Sequence, residues 1–246
     1  MREYGPLAGH YDALTTDVPY EKWADYYERI WARAGLRPEI VLDAGCGTGS
    51  LTTLLAGRGY DMIGVDSSPD MLSAARDKGE ELAVLPVYIC QQLESLDLYG
   101  TVQAAVSSLD ALNYIVRPER LLKALCRISL FLEPGGLFIF DAQTPAALRA
   151  LHGRTIVKES ERVYCVWESS FSEKTGLCTY EIDGFEAVGS LWRRFSERHR
   201  ERAYEASDWF QMLEKAGFTK IRQYAPFRFT PPGKGEARWF FVAEKA

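Results

Sequence analysis

Long apolar segments are missing from this sequence. No run reaches the roughly 18 apolar residues that a helix needs to cross the hydrocarbon core of a bilayer. The first residues, Met-Arg-Glu-Tyr-Gly, also lack the charged and apolar regions of an export signal. These two absences argue against a helical membrane protein and against a secreted one. We expect a cytoplasmic location with no membrane partner.

A strong positive charge is missing as well. The chain has 29 Lys and Arg residues against 34 Asp and Glu residues, which gives a net charge of −5. The short segment 193–202 concentrates arginines, but Glu197 and Glu201 alternate with them. Because binding to a phosphate backbone needs a basic surface, nucleic acid is not an expected partner.

Cysteine and histidine are too scattered to indicate a metal site. The five cysteines include no C-x-x-C pair, and the three histidines lie far apart in the sequence. The common zinc sites need clustered ligands at fixed spacings, so we predict no metal. Cys46 lies inside a glycine-rich turn, where we expect a small side chain to be needed rather than a nucleophile.

A regular alternation of strand and helix is what the sequence does contain. The chain has 246 residues, of which 47% are hydrophobic and 26% charged, as in ordinary globular domains. The apolar pattern predicts strands over 40–43, 60–66, 84–90, 102–107 and 137–142. Between them it predicts helices over 50–58, 68–79 and 118–133. Such alternation is typical of an α/β fold with a parallel sheet and helices on both of its faces.

The ends of the chain and the segment 154–203 depart from this alternation. Apolar residues recur at three- and four-residue steps from Tyr20 to Ala34, which predicts an N-terminal helix that ends at Gly35. Residues 154–203 are rich in strand-forming side chains and predict an antiparallel β insert. After it, the pattern predicts a helix over 207–216 and strands over 218–224 and 238–244.

These predictions divide the chain into a core and an insert. The core takes in 1–153 and 204–246, and its first part, 1–36, is expected to form a helical cover. The insert, 154–203, is expected to act as a lid over the substrate. Its aromatic residues either cover the acceptor or pack the insert against the sheet, the second being favoured: Trp167, Phe171, Phe185 and Trp192.

Three alternate glycines mark the turn between the first predicted strand and its helix. Gly45, Gly47 and Gly49 let the backbone pass close to a ligand, and the helix that follows offers unpaired N–H groups at its start. Asp66 ends the next predicted strand, where a carboxylate can accept both hydroxyls of a ribose. The pattern therefore predicts a site for a nucleoside cofactor.

The spacing of this turn decides between two cofactors. A dinucleotide fingerprint, G-x-G-x-x-G, needs glycine at position 50, where this chain has Ser50. The turn reads D-x-G-x-G-x-G instead, which opens it toward an amino-acid tail rather than a pyrophosphate. Asp43 can then act on the ammonium group of the ligand through water, or it can fix the loop. This favours S-adenosylmethionine, with a nicotinamide dinucleotide as the alternative.

Two motifs resemble those of the class I S-adenosylmethionine-dependent methyltransferases, namely VLDAGCGTG and GVDSSPDML. The resemblance implies a Rossmann-like, doubly wound sheet of seven mostly parallel strands in the order 3-2-1-4-5-7-6, with strand 7 antiparallel. It places the ligand across the carboxyl ends of strands 1 to 4. The phrases DVPYEKW, SSLDALNY and RRFSERHRERAY look like those of a bacterial group of small-molecule methyltransferases with a β insert.

The resemblance also implies a set of cofactor-binding residues. It includes the glycine turn for the methionine tail, Asp66 for the ribose, and a loop that runs beneath the sulfonium. The full set is Tyr11, Asp43, Gly45, Cys46, Gly47, Asp66, Ser67, Met71, Gln92, Leu93, Ser108 and Leu109. Gln92 is a departure, because the family usually has an acidic residue there for the adenine amino group. Its amide oxygen can still accept that hydrogen bond.

The expected reaction is methyl transfer by in-line displacement to oxygen or nitrogen of a small molecule. Alignment of the reactants can contribute ~7–11 kcal/mol, more than the roughly 3–5 kcal/mol of a general base, so a base is optional. The candidate bases are Asp110, Glu197, His199 and His10. His199 also fits a solvated strand face with alternate ion pairs, which is the favoured interpretation. Substrate contacts are predicted for Tyr20, Tyr114, Trp167 and Arg202.

Three alternatives stay open at this point. The first is a protein or nucleic-acid methyltransferase, although a DNA member that methylates amino groups would show an Asn-Pro-Pro-Tyr or Asp-Pro-Pro-Tyr tetrad where this chain has Asp110-Ala-Leu-Asn. A non-catalytic protein that senses S-adenosylmethionine would keep the glycine turn and close the acceptor pocket. A nicotinamide-dependent oxidoreductase would use the same turn for a dinucleotide. The sequence indicates no oligomeric state.

Overall fold

Two sheets of different kinds organise the chain in the computed structural model, which describes residues 4–80 and 82–246. The first three residues of the predicted N-terminal cover lie outside the described residues. The strands are β1 Ile40–Ala44, β2 Asp61–Asp66, β3 Val87–Cys90, β4 Val102–Ser107, β5 Leu132–Gln143, β6 Thr155–Ser160, β7 Val163–Ser172, β8 Leu177–Val188, β9 Leu191–Arg202, β10 Phe218–Tyr224 and β11 Arg238–Lys245. The helices are α1 Tyr11–Leu14, α2 Tyr20–Ala34, α3 Ser50–Gly57, α4 Pro69–Gly79, α5 Pro118–Phe131, α6 Pro145–Ala150 and α7 Ala206–Lys215. Short 3-10 turns cover Pro6–His10, Leu93–Ser95 and Ala111–Tyr114.

The larger sheet has the predicted strand order. Its strands lie as β3-β2-β1-β4-β5-β11-β10, and β11 runs antiparallel to both of its neighbours. The other pairs are parallel. The prediction of a doubly wound, seven-stranded, mostly parallel sheet of Rossmann-like type is therefore confirmed. The strand order reverses between β1 and β4, and open sheets of this kind bind ligands outside the carboxyl ends of the strands at that point.

Helices cover both faces of this sheet. On one face, α2 and α3 bury Tyr27, Trp31 and Leu55 in a common cluster with β1 and β4. On the other face, α5 and α7 bury Leu125 and Trp209 with the aromatic side chains of β5 and β11. The core is thus two apolar layers, one on each side of the sheet. This arrangement leaves the carboxyl ends of the strands uncovered by either layer.

Two predicted strands begin three or more residues away from their starts in the structure. Strand β5 begins at Leu132 rather than at 137, because Leu132 already pairs with Val102 across an irregularity in the register. The helix predicted over 118–133 accordingly ends at Phe131. Strand β3 begins at Val87 rather than at 84, and the apolar Val84 and Leu85 that suggested a longer strand are exposed.

The insert forms a separate antiparallel sheet in the order β6-β7-β8-β9. Its inner face packs Cys165, Cys178 and Ile182 against Leu7 and Leu14 of the N-terminal segment. The aromatic pair Phe185 and Trp192, expected to cover the acceptor or to pack the insert, is 38% and 54% exposed instead. The contacts of the insert with the rest of the chain thus include the N-terminal turns around Leu7 and Leu14.

Strand β9 has two faces of opposite character. Arg198 and Arg200 are exposed, and Arg198 pairs with Glu181 of β8 at 2.6 Å. Glu197, His199 and Glu201 point to the other face and are buried. The interpretation of His199 as part of a solvated face is therefore wrong, since from Phe195 to Glu201 only the face that carries Arg198 and Arg200 meets solvent.

Two kinds of feature are absent from the described part of the chain. None of the helices within residues 4–80 and 82–246 is long and apolar enough to cross a membrane. In the same ranges, no three His, Cys, Asp or Glu side chains lie together in a way that could hold a metal ion.

Candidate active site

A cavity of about 340 Å³ lies at the carboxyl ends of β1, β2 and β4. Its volume is within the usual range of small-molecule sites, about 300–1,000 Å³. Every predicted cofactor-binding residue lies on its wall: Tyr11, Asp43, Gly45, Cys46, Gly47, Asp66, Ser67, Met71, Gln92, Leu93, Ser108 and Leu109. The fold thus brings together residues from four strand ends and from the N-terminal segment.

The glycine turn has the left-handed backbone that its sequence predicts. Gly45 has φ +85° and Gly47 has φ +54°, in the region that a side chain makes unfavourable. A Cβ on Gly45 would lie 2.7 Å from the Cβ of Ala111, so packing alone excludes it. A Cβ on Gly47 would meet no atom within 4 Å and would extend into open space. Gly47 is therefore the position where the turn offers bare backbone to the cavity.

Asp66 fixes this turn from the end of β2. Its Oδ2 accepts a hydrogen bond from the Gly47 N–H at 2.9 Å, and its Oδ1 accepts one from the Ser68 N–H at 2.8 Å. Burial raises the pKa of the Asp66 carboxyl, although these N–H groups act to lower it. Each carboxylate oxygen keeps a second lone pair, so Asp66 retains the capacity to accept from two ribose hydroxyls.

Asp43 ties β1 to the first turn of α3. Its Oδ2 accepts a hydrogen bond from the hydroxyl of Thr52 at 2.6 Å. Burial raises the pKa of Asp43 to about 7, which the Thr52 hydrogen bond only partly opposes. Of the two roles predicted for Asp43, this contact corresponds to fixing the loop. Burial also raises the pKa of the neighbouring Cys46 thiol well above its usual value, so this thiol is not an activated nucleophile.

The loop beneath the predicted sulfonium site has a strained backbone. Leu109 and Asp110 both have φ near +55°, at 55° and 56°, which is uncommon for residues other than glycine. The carboxylate of Asp141 holds them there, because it accepts from the Leu109 N–H at 2.8 Å and from the Asp110 N–H at 3.1 Å. Arg238 pairs with Asp110 at 2.6 Å and also with Asp141. Strain kept in this way by its surroundings is common at functional sites.

Sequence reasoning missed Asp141 and Arg238. Asp141 had a signal, since it is an acidic residue near the carboxyl end of a predicted buried strand. Arg238 had none, because its partners lie across the sheet and only the pairing of β5 with β11 brings them together.

Tyrosines form another part of the cavity wall. The predicted Tyr11, Tyr20 and Tyr114 line it, and so does Tyr4, which sequence reasoning missed. The hydroxyl of Tyr4 donates to the hydroxyl of Tyr114 at 2.6 Å, and the rings of Tyr4 and Tyr11 meet edge to face at 5.8 Å. Burial raises the pKa of Tyr4 and of Tyr114 well above the ordinary tyrosine value, so both remain neutral hydroxyls near pH 7.

Gln92 has a partner that restricts its predicted role. Its Oε1 accepts from the guanidinium of Arg120 at 3.0 Å, and Arg120 also pairs with Glu94. A guanidinium only donates hydrogen bonds, so this contact assigns the oxygen to the side of the amide that faces Arg120. One lone pair of that oxygen is left for the adenine amino group.

The candidate bases do not line the cavity. Asp110 is bound to Arg238, and the amide of Gln143 also donates to it at 3.0 Å. Glu197 and His199 form a buried pair in the insert, with 2.7 Å between Oε2 and Nε2. His10 pairs with Glu186 at 3.1 Å. Each of these side chains thus lies outside the cavity lining and contacts another polar or charged side chain.

Two of the four predicted substrate residues also lie behind the wall. The ring of Trp167 packs against the ring of His199, with 6.1 Å between the centroids. The guanidinium of Arg202 donates to the Val116 carbonyl at 3.2 Å, and Val116 is itself on the wall. These two side chains support the wall, whereas Tyr20 and Tyr114 are part of it.

The donor set fits S-adenosylmethionine better than a dinucleotide. The turn at Gly47 admits a ligand against bare backbone, and two carboxyl groups, the buried Asp43 and the half-buried Asp66, lie on the same wall. Carboxylates favour a ligand that brings hydroxyl donors and positive charge, and they oppose a pyrophosphate. The residues present therefore suit a ribose and a cationic amino-acid tail.

Similarities to known proteins also indicate a methyltransferase. Residues 41–136 match the model of a methyltransferase domain family. YqeM of Bacillus subtilis, which is named as a methyltransferase, is 28% identical over 246 residues, covering 99% of this chain and 97% of that protein. The crystal structure of an S-adenosylmethionine-dependent methyltransferase from Clostridium acetobutylicum superposes with a TM-score of 0.88 at 28% identity, and the whole of both chains is covered.

A third similarity covers about half of each chain. The ubiquinone biosynthesis O-methyltransferase of Xanthomonas oryzae pv. oryzae is 33% identical over 121 residues, which are 48% of this chain and 49% of that enzyme. The nicotinamide and sensor alternatives have no counterpart in these relatives. With the glycine turn, the strand order and the full-length similarities in agreement, the chain is a class I S-adenosylmethionine-dependent methyltransferase.

Proposed function

We propose that the enzyme methylates an oxygen or a nitrogen of a small-molecule acceptor. The observation that carries this proposal is the composition of the cavity wall, which joins two chemically different parts. One part is the glycine turn with Asp66, and the other contains four tyrosines, Tyr4, Tyr11, Tyr20 and Tyr114. A wall of neutral hydroxyls and aromatic rings suits a small polar acceptor that is both packed and hydrogen-bonded.

The size of the site supports a small acceptor. The cavity has a volume of about 340 Å³, in the range of small-molecule sites, and Tyr4 and Tyr11 of the N-terminal segment form part of its wall. The relative from Xanthomonas is named for O-methylation in ubiquinone biosynthesis, which is also the methylation of a small molecule. Protein and nucleic-acid acceptors fit less well, since the chain has no excess of basic residues.

The residues of this chain act mainly by binding and orientation. S-adenosylmethionine, when bound, supplies a methyl group that is already electrophilic. Gly47 and Asp66 would hold its amino-acid and ribose parts, and the strained Leu109–Asp110 backbone would lie beside the reacting end. Tyr114 would orient the acceptor through its hydroxyl. We assign proton removal to none of Asp110, Glu197 and His199, because each is held by a partner behind the wall.

A direct test uses radiolabelled S-adenosylmethionine and a panel of small amines, phenols and alcohols. We expect label to transfer to at least one acceptor class. Unlabelled product should be about 14 mass units heavier than the acceptor, because a methyl group replaces a hydrogen. Unmodified DNA, tRNA and a mixed protein extract serve as competing acceptors. Preferential labelling of any of these macromolecules would contradict the proposal.

The role of Tyr114 can be tested once an acceptor is found. Tyr114→Phe should raise the KM for the acceptor about tenfold, because one hydrogen bond of roughly 1–1.5 kcal/mol is lost. The affinity for S-adenosylmethionine should stay within twofold of the wild type. Tyr99→Phe is the matched control, since Tyr99 is fully exposed and lies off the cavity wall. An unchanged KM in Tyr114→Phe would remove this hydroxyl from acceptor binding.

The buried carboxyl of Asp43 should make stability depend on pH. Its pKa is about 7 in the folded chain against 3.8 as the ordinary value, so between these pH values the folded state holds a proton that the unfolded state has lost. The stabilising contribution is complete below about pH 4 and is lost as pH rises to about 7. Its slope is at most about 1.4 kcal/mol per pH unit.

Urea unfolding at several pH values between 4 and 8 measures this effect. Asp43→Asn should flatten the fall in the free energy of unfolding, because the amide does not titrate. Asp61→Asn, an exposed position at the start of the same sheet's β2, should leave the fall as it is in the wild type. Equal slopes in the wild type and in Asp43→Asn would show that Asp43 titrates normally.

A further inference from the structure

The first described residues form a roof over the cavity. This roof segment, residues 4–14, consists of a 3-10 turn and α1, and its Tyr4 and Tyr11 lie on the cavity wall. On its other side, Leu7 and Leu14 pack into the apolar face of the insert. The segment therefore lies between the cofactor cavity and the insert, and its position depends on what holds it from the insert side.

One carboxylate of the insert binds the roof segment through backbone groups. Glu197 accepts from the Tyr4 N–H on Oε2 and from the Leu7 N–H on Oε1, both at 2.9 Å. His199 supplies another contact, at 2.7 Å from its Nε2 to Oε2. The Glu197 side chain is 1% exposed. Because water is excluded, hydrogen bonds to this ionised acceptor are strong, and few alternatives exist for either partner.

The charge on Glu197 is kept by these contacts. Burial by itself would raise the pKa of the Glu197 carboxyl, but the hydrogen bonds from His199, Leu7 and Tyr4 bring it below its ordinary value. A buried carboxylate that stays ionised without its donors would be strongly disfavoured. The N–H groups of the roof segment and the Glu197 carboxylate therefore supply each other's hydrogen bonds, and separating them leaves donors and acceptor without partners.

The contact continues from Glu197 to the predicted ribose site. The carbonyl of Tyr4 accepts from the Ser68 hydroxyl at 2.9 Å, and the Ser68 N–H donates to Asp66 at 2.8 Å. Tyr4 also has φ +54°, a left-handed backbone that a tyrosine adopts only when its neighbours impose it. Glu197 on one side and Ser68 on the other are the groups that do so.

We propose that Glu197 is a positioning residue for the cofactor, whose buried carboxylate holds the roof segment over the cavity so that bound cofactor leaves only after the Tyr4 and Leu7 hydrogen bonds break. Glu197 acts through Tyr4 and touches neither the cofactor nor the acceptor. This assigns to the β insert a part in cofactor retention, beyond any contact it makes with the acceptor. The inference rests on the cofactor alone and is independent of the proposed acceptor class.

The test measures release of S-adenosylhomocysteine, the demethylated cofactor, from Glu197→Gln. The amide has one oxygen, so it can accept from only one side, and its NH₂ group would face an N–H donor of the roof segment. We expect the dissociation rate of S-adenosylhomocysteine, measured by surface plasmon resonance, to rise about tenfold, while the association rate changes by less than twofold. Hydrogen exchange of the Tyr4 and Leu7 amides should become faster in the same variant.

Glu181→Gln is the matched control. It makes the same chemical change on the same insert, at a carboxylate that pairs with exposed Arg198 and does not reach the roof segment. Its dissociation rate should equal that of the wild type. A wild-type dissociation rate in Glu197→Gln, with the roof amides exchanging faster, would overturn the proposal, since the roof would then have no part in retention.

The wild-type protein gives a second measurement that needs no variant. If Glu197→Gln does not fold, exchange of the Leu7 amide with and without S-adenosylhomocysteine decides the matter. Slower exchange in the presence of S-adenosylhomocysteine supports the proposal, because a bound ligand keeps the roof down. Equal exchange in the two states overturns it. None of these measurements uses an acceptor, so a failure here is distinct from a failure to find a methylated product.

Discussion

Gly47→Val is expected to abolish binding of S-adenosylmethionine while leaving the protein folded. A Cβ at this position extends into open space on the cavity wall, where the amino-acid part of the cofactor is expected, and the branched side chain would occupy that space. The backbone at φ +54° adds strain of roughly 1–2 kcal/mol for any residue with a Cβ. Calorimetric titration should show at least a hundredfold loss of affinity.

Gly35→Val separates strain from obstruction. Gly35 has φ +70° at the end of α2, and a Cβ there also meets no atom within 4 Å, but the residue is off the cavity wall. Both variants should lose a similar amount of stability in urea unfolding. Only Gly47→Val should lose the cofactor. Tight binding by folded Gly47→Val would mean that the ligand lies elsewhere.

Asp66→Ala should weaken S-adenosylmethionine binding by about a hundredfold. Two hydrogen bonds from ribose hydroxyls to a charged acceptor would be lost, at roughly 1.5–3 kcal/mol each, and relaxation or entering water would return part of that free energy. The variant also leaves the Gly47 N–H and the Ser68 N–H without the carboxylate to which they donate hydrogen bonds in the structure. The glycine turn would then lose the contact that fixes it.

Asp61→Ala provides the comparison at the opposite end of the same strand. Asp61 begins β2 and is exposed, so its removal changes the charge of the protein equally without touching the cavity. Its affinity for S-adenosylmethionine should match the wild type. Should Asp66→Ala bind as tightly as Asp61→Ala, Asp66 has no contact with the ribose.

The cofactor-binding residues of the site were predictable because the sequence patterns that indicate them are local. The turn from Gly45 to Gly49 and the strand end at Asp66 each carry their geometry in a few adjacent residues. The order of the elements then fixes which strand ends meet, since parallel strands with short connections leave few arrangements. The predicted cofactor residues accordingly all lie on one cavity wall.

The roles of the polar residues in the insert were less predictable, because they depend on partners that are distant in the sequence. Along β9, Phe195, Glu197, His199 and Glu201 share one face at the two-residue period of a strand. Phe195 is the one apolar member of this set, and the arginines between these residues suggested a face in solvent. What makes Glu197 a buried acceptor is Tyr4, 193 residues earlier in the chain, and no local pattern predicts that meeting.

The strained backbone at Leu109 and Asp110 was also not predictable from local sequence. Asp141 stands at the end of a predicted strand, so its location was predictable, whereas its hydrogen bonds to this loop were not. It holds Leu109 and Asp110 in left-handed backbone only because β4 and β5 are neighbours, and Arg238 reaches it only because β11 adds antiparallel to β5. Such roles follow from strand pairing, which propensity and periodicity do not specify.

The two faces of β9 should respond differently to ionic strength. Its exposed arginines pair with acidic residues of β8 in water, where about 8 Å of screening length at physiological salt already weakens such pairs. The opposite face excludes the counterions that would compete for Glu197. Concentrated salt can therefore weaken the exposed pairs of Arg194 and Arg198, while the hydrogen bonds of Glu197 to the N-terminal turns persist. The face of the insert that packs against the N-terminal turns would thus tolerate a hypersaline medium.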